Sequence, residues 1–150
     1  LVVGVRCHDN RMAELKADCQ SNDDASIFHD DVVEVYVNTP QRSYFKIVVN
    51  PNGMIWDEST DVSVIERDTL PLLWNPGVKA AIRKHVDHWT AEIWIPTKDF
   101  VEMGPSETFP WGIQIGRTRF TGGGCDTWAI APTSGKPYAT TNRWANLWMR

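Results

Sequence analysis

The sequence is poor in the features that mark several large classes of protein. No apolar run approaches the roughly 20 residues that a membrane-spanning helix needs. Lysine and arginine total 15 against 19 acidic residues, a formal net charge of -4, which gives no sign of the basic face that nucleic-acid binding requires. The first residues also lack the basic stretch and the cleavage site of a signal peptide. We therefore expect no membrane span and no nucleic-acid partner.

Cysteine is scarce, and the familiar nucleophile motifs are missing. Cys7, Cys19 and Cys125 form no CxxC pair and have no histidine at zinc spacing, so a structural zinc site is not predicted. The sequence does not distinguish one disulfide plus one free thiol from three reduced thiols. No G-x-S-x-G motif occurs. A phosphate-binding loop carries a lysine and precedes a helix, but the glycine-rich TGGGCD at 121–126 has neither feature.

The paired carboxylates do not indicate a glycosidase either. Asp30 and Asp31 are neighbours at a strand entrance, where successive side chains point to opposite faces. A glycosidase instead needs two carboxyl groups that face each other about 5 to 9.5 Å apart. Spacing alone does not show that either aspartate pairs with Asp57, Glu58 or Glu92. We expect a chain that is not itself an enzyme.

Alternating apolar and polar residues recur along the chain, with turn residues between the runs, and this is the pattern of half-buried strands. In VVEVYVN the valines at 33, 35 and 37 face one way and Glu34 the other, and in WGIQIGRTRF Ile113 and Ile115 face inward. Residues 79–87 have some helix propensity, but their short length favours a hairpin with 88–96. The predicted strands are 1–8, 32–38, 43–50, 54–59, 79–87, 88–96, 111–120 and 143–150.

This pattern predicts an all-β fold. About nine short strands at regular spacing indicate an antiparallel β-sandwich of jelly-roll or immunoglobulin-like type. At most one short helical turn is expected, at 97–103. The eight tryptophans are more than a domain of this size has room to bury. We expect Trp89, Trp94 and Trp111 in the core and hold Trp56 and Trp74 as reserve candidates for an exposed platform.

Six segments in order carry a family resemblance: LVVGVRCHDN, IFHDDVVEVYVN, YFKIVVNPNG, WTAEIWIP, WGIQIGRTRF and TWAIAPTSGKPYATTNRWANLWM. They resemble the successive strands of carbohydrate-binding module family 9 and its relatives in the DOMON-like superfamily. The resemblance implies a sandwich that binds sugars without cleaving them, as an accessory domain of a secreted, cell-surface or periplasmic bacterial protein. Family members have one or two strands before the first of these segments. We therefore expect residues 1–150 to be a single module that lacks its first strand or strands and belongs to a longer protein.

The resemblance also implies where a sugar would bind. Phe28 lies six residues before Glu34, where sugar-binding relatives carry tryptophan, and Trp128 would supply a second ring. A pyranose offers an apolar face to such rings and hydroxyl groups to polar side chains, and a glucose- or xylose-type glycan is the expected ligand. Glu34 and Lys46 could instead be an ordinary cross-strand ion pair, and Asn50 could merely start a turn. The predicted carbohydrate-binding residues are Phe28, Glu34, Lys46, Asn50, Gln114, Arg117 and Trp128.

Other ligands remain open. Structural calcium is one expectation, because carboxylates in irregular loops suit that ion. Its predicted ligands are Asp9, Asp23, Asp24, Asp30 and Asp31, and the alternative is a solvated acidic loop. No organic cofactor is expected. The alternative functions are a haem-binding DOMON-like electron-transfer domain, with ligands drawn from the methionines and histidines, and a purely structural sandwich that packs on other domains of a parent protein.

Overall fold

The computed structural model describes residues 1–39, 43–61, 74–98, 104–121, 124–129 and 144–147. Its strands are β1 (Val2–His8), β2 (Val32–Asn38), β3 (Ser43–Val49), β4 (Ile55–Asp61), β5 (Lys79–Lys84), β6 (His88–Trp94), β7 (Trp111–Thr121), β8 (Gly124–Ala129) and β9 (Ala145–Leu147). Two short 3-10 helices, Met12–Glu14 and Ala25–His29, lie between β1 and β2, so the expectation of at most one short helical turn is wrong. The helical turn predicted at 97–103 falls largely outside the described residues. No helix in the described ranges has the length and apolarity to cross a membrane.

The strands form two antiparallel sheets. The smaller sheet has the order β1-β6-β5, and the larger has the order β4-β3-β2-β7-β8, with β9 pairing to β7. The all-β, antiparallel prediction is confirmed at this level. Residues Lys79–Lys84 are a strand and not a helix, because they pair along their whole length with β6.

The main hydrophobic core contains residues of both sheets. On β2 it includes Val33, Val35 and Val37, as the alternation predicted, and on the smaller sheet it includes Trp89 and Ile93. Further members are Val3, Cys7, Phe45, Ile47, Val49, Ile55, Ala91, Ile95 and Trp111. Strand β2 pairs with β3 and β7 and buries its valines in this core, so its register is strongly specified. Glu34 and Tyr36, which alternate with these valines, therefore lie on the other face of the larger sheet.

The tryptophan expectations need one correction. Trp89 and Trp111 are buried as expected, but Trp94 is 47% exposed. Trp94 has the same strand parity as Glu92, which is also exposed, whereas Ile93 between them is buried. The ring therefore lies on the outside of the smaller sheet.

A second hydrophobic cluster lies on the opposite face of the larger sheet. Val32 and Val48 of that sheet meet Ile27 and Cys19 of the β1–β2 segment. Phe28, Met54 and Trp56 pack against this cluster and are partly buried. The β1–β2 segment thus folds over one end of the face that carries Glu34, and it brings Phe28 to that face.

Candidate functional site

One face of the larger sheet carries a group of side chains that we call the outer-face cluster: Phe28, Glu34, Tyr36, Lys46, Trp56 and Thr118. Strand register explains how the group forms. Tyr36 is opposite Lys46 on β3 and opposite Gln114 on β7, and residues opposite each other in antiparallel strands share a face. Glu34, two positions before Tyr36, is on the same face. Gln114 is buried beside the cluster.

Glu34 is the centre of a polar network. The Tyr36 hydroxyl donates a hydrogen bond to Glu34 Oε2, and Thr118 Oγ1 donates to Glu34 Oε1 at 3.1 Å. Lys46 Nζ lies 3.6 Å from Glu34 Oε2, and the side chains of Lys46 and Glu34 are only 14% and 10% exposed. This ion pair is therefore largely removed from water, and its carboxylate is held in one orientation by two hydroxyl groups.

Two rings border that network. The centroids of Phe28 and Trp56 are 5.2 Å apart with an edge-to-face angle of 67°, which is a favourable aromatic geometry. Lys46 Nζ lies 4.3 Å from the Phe28 ring centroid, within cation–π range. Trp56 is fixed in turn, because its Nε1 donates to Glu58 Oε2 at 2.9 Å. Lys46 thus touches both the aromatic and the acidic part of the cluster.

Sequence reasoning missed some members of this group. Tyr36 and Thr118 were not singled out, although the parity of Tyr36 with Glu34 was visible in the alternating run. Trp144 also meets Tyr36, with ring centroids 5.8 Å apart. Its position depends on the pairing of β9 with β7, and no local sequence pattern predicts such a long-range pairing. Trp56, a reserve candidate, takes part directly.

Asn50 does not face this cluster. It is fully buried, and its Nδ2 donates to the Cys19 carbonyl at 3.2 Å and to Asp30 Oδ2 at 3.0 Å. Its Oδ1 accepts from the backbone N–H groups of Asn52 and Met54. With both ends of its amide used, Asn50 organises the β3–β4 turn, which is the alternative that the sequence left open.

Arg117 lies on the other face of the sheet. It is opposite Val33, a core residue, in the β2–β7 register. Its guanidinium donates to the His8 carbonyl and pairs with Asp9 Oδ2 at 2.9 Å. The expectation that Arg117 closes the site next to Glu34 is therefore corrected. Trp128 is opposite Arg117 in the β7–β8 register, but its side chain lies outside the described part of the structure, so its role stays a prediction.

The two aspartates before β2 hold the β1–β2 segment in place. Asp30 accepts hydrogen bonds from the backbone N–H groups of Asp18 and Cys19, at 2.8 and 3.0 Å. Asp31 accepts from the N–H groups of Lys16 and Phe120. Both carboxylates are buried. Burial raises the pKa of Asp31, while those backbone hydrogen bonds act to lower it.

The other three predicted calcium ligands have different surroundings. Asp9 pairs with Arg117 and Arg119. Asp24 caps the second 3-10 helix by accepting from Ser26 N at 2.8 Å, and this bond lowers its pKa. Asp23 is exposed. The five aspartates do not converge, and no group of three histidine, cysteine or acidic residues in the described ranges has a metal-binding arrangement.

The groups considered for other chemistries are also apart. Met12 packs against the main core and Met54 against the second cluster, on opposite faces of the larger sheet. The Cys7 thiol is buried, and burial raises its pKa to about 11. Because only the thiolate is a good nucleophile, this shift disfavours a nucleophilic role for Cys7. Cys7 and Cys19 are both free thiols.

The outer-face cluster therefore combines three aromatic rings with an ammonium, a carboxylate and two hydroxyl groups. Such a set can pack against an apolar face and exchange hydrogen bonds with hydroxyl groups at its edge. Comparison of the chain with models of protein families, with curated proteins and with solved structures gives no match.

Proposed function

We propose that this chain is a non-catalytic carbohydrate-binding module with a β-sandwich fold, and that it binds a glucose- or xylose-type glycan at the outer-face cluster. The observation that carries the proposal is the Glu34–Lys46 pair, which lies against Phe28 and Trp56 on the sheet face turned away from the smaller sheet. The core shared by the two sheets supports the sandwich. The resemblance to carbohydrate-binding module family 9 supports a sugar as the ligand.

The chemistry of the pair suits neighbouring hydroxyl groups. Lys46 donates hydrogen bonds and the Glu34 carboxylate accepts them, so together they can hold two adjacent hydroxyls of one sugar ring. Tyr36 and Thr118 keep Glu34 in place before the ligand arrives, which lowers the ordering cost of binding. The C–H face of the sugar would then pack against Phe28 and Trp56.

A purely structural role explains this pair less well. Two charges that are largely removed from water carry a desolvation penalty that their attraction barely repays, and an apolar pair is often as stable. A hydroxyl-rich ligand gives a reason to keep both charges on this face. By the same resemblance we place the module outside the bacterial cytoplasm, as an accessory domain of a glycan-active parent protein.

Titration of tryptophan fluorescence with glucose, xylose and their oligomers tests the proposal. We expect a saturable change in the wild type, and an affinity at least tenfold weaker, about 1.4 kcal/mol, in Glu34→Gln and in Trp56→Ala. The matched control is Trp94→Ala, which removes an exposed ring from the other sheet and should leave the affinity within twofold. If no sugar in the panel changes the fluorescence or the chemical shifts, the domain has the purely structural role instead. A Soret band in the purified protein would identify a haem domain instead.

A further inference from the structure

Asp57 is a carboxylate on the core-facing side of the larger sheet. It is opposite Ile47 in the β3–β4 register and shares its side of β4 with Ile55. It is only 6% exposed, and its Oδ1 has no hydrogen-bond partner among the residues that the structure describes. An ionised carboxylate in such a place is strongly unfavourable, so a buried polar atom of this kind calls for an explanation.

Asp57 lines a small cavity that opens to solvent. The cavity measures about 140 Å³, and its wall also includes Asn22, Asp23 and Asn75. Asp23 and Asn75 are exposed and lie at the mouth, whereas Asp57 is buried below them. A water molecule occupies about 30 Å³ of liquid volume, so the cavity has room for an ion together with some of its water ligands.

The mouth of the cavity is fastened to β4. Asn22 Oδ1 accepts from Ile55 N at 3.0 Å, and Asp23 N donates to the Ile55 carbonyl at 3.0 Å. Asp23 has a φ of 56°, in the left-handed region that aspartate tolerates better than most residues. These bonds anchor the backbone of Asp23 beside β4, and Asp23 lines the same cavity as Asp57.

The charges in the cavity are of one sign. Burial, with a smaller contribution from the charge of Asp23, raises the pKa of Asp57 to about 7. The described residues that line the cavity include no lysine, arginine or histidine. None of these described residues therefore offers Asp57 a positive partner.

We propose that this cavity binds one calcium ion through the carboxylates of Asp57 and Asp23, with the side-chain oxygen of Asn75 as a further ligand. Calcium takes six to eight oxygen ligands in flexible geometry. Two carboxylates supply up to four of these, the amide supplies one, and water fills the remainder. Magnesium is expected to bind more weakly, because it demands a tighter octahedral set of ligands. This site shares no proposed ligand-binding side chain with the outer-face cluster, since Asp57 and the outer-face residue Trp56 are on opposite faces of β4.

Calorimetric titration of chelator-treated protein with CaCl2 and MgCl2 tests the site, together with the melting temperature in each salt and in EDTA. For the wild type we expect one-site calcium binding with a dissociation constant on the order of a millimolar or below, a higher melting temperature with calcium, and magnesium binding at least tenfold weaker. Asp57→Asn and Asp23→Asn should each weaken calcium binding at least tenfold. The matched control is Asp18→Asn, an exposed aspartate outside the cavity, which should bind calcium within twofold of the wild type.

The stability of Asp57→Asn adds a second readout. This variant removes a buried charge, so in EDTA it should melt above the wild type, and calcium should raise only the wild-type melting temperature. If Asp57→Asn fails to fold, Asp23→Asn decides, because its side chain is exposed. The proposal is overturned if millimolar calcium gives the wild type neither binding heat nor a higher melting temperature. Wild-type calcium affinity in the variants would overturn it equally.

Discussion

The buried carboxylate of Asp57 should make this protein less stable as the pH rises, provided that divalent cations are removed. In the folded state burial raises its pKa from 3.8 to about 7, so the folded protein keeps a proton that the unfolded chain releases near its ordinary pKa. Because the folded state binds more protons between these two values, the free energy of unfolding falls with increasing pH across that window. The effect is complete above the folded pKa and vanishes well below the unfolded one.

The size of the effect follows from the two pKa values. The full loss is on the order of 4 kcal/mol, and about 3 kcal/mol of it falls between roughly pH 4.5 and pH 8. Urea unfolding in EDTA at these two pH values, followed by tryptophan fluorescence, measures it in the wild type and in Asp57→Asn. Contributions from other titrating groups appear in both proteins and cancel in the comparison. If the two proteins change in parallel within about 0.5 kcal/mol, the proposed burial of an unpaired charge is wrong.

Three further outcomes follow from single contacts. Asn50→Ala removes one of the hydrogen bonds to the Asp30 carboxylate and leaves two turn N–H groups without a partner, so it should lower the free energy of unfolding by about 2 to 4 kcal/mol, measured by urea unfolding, while sugar affinity stays within a few-fold. Lys46→Met leaves Glu34 buried without its counter-charge and should cost up to about 3 kcal/mol; the double variant with Glu34→Gln should recover most of this in a thermal melt, and additive losses would contradict the coupling. Cys7 should resist iodoacetamide at about pH 8 in the native protein and react once unfolded, because its thiol is buried and protonated; rapid native labelling seen by mass spectrometry would argue against that environment.

Much of the fold could be predicted from the alternation of apolar and polar residues along each strand. The alternating valines of β2 and the inward isoleucines of β7 are correctly predicted, because each strand has one face on a core and a period of two allows a single solution. The same parity shows why Arg117 was misplaced. Arg117 lies two residues after the inward Ile115, so it shares the core-facing side and is opposite Val33. The alternation along β7 therefore already places Arg117 on the core-facing side, away from Glu34.

Other features depend on contacts that no local pattern contains. Asn50 has the outward parity of β3, yet it lies just past the end of the strand, and only the folded turn shows that its amide is used entirely inside the protein. The calcium prediction grouped aspartates by closeness in sequence. In the structure Asp23 instead approaches Asp57, which is more than thirty positions away along the chain, because Asn22 and Asp23 bond to Ile55. Loops that pack across a sheet edge cannot be located from composition.

The segment between β1 and β2 connects the two proposed sites. Asp30 and Asp31, at its end, accept backbone N–H groups of residues 16, 18 and 19 and so close a loop within it. Within the loop that they close, Asp23 reaches the cavity beside β4, and Phe28 reaches the opposite face of the same sheet, against Trp56 and Lys46. Buried carboxylates that accept several backbone N–H bonds favour a single loop conformation. The acidic pair before β2 therefore supports both proposed sites by placing residues that we propose to contact a ligand, and both of its carboxylates already have partners inside the protein.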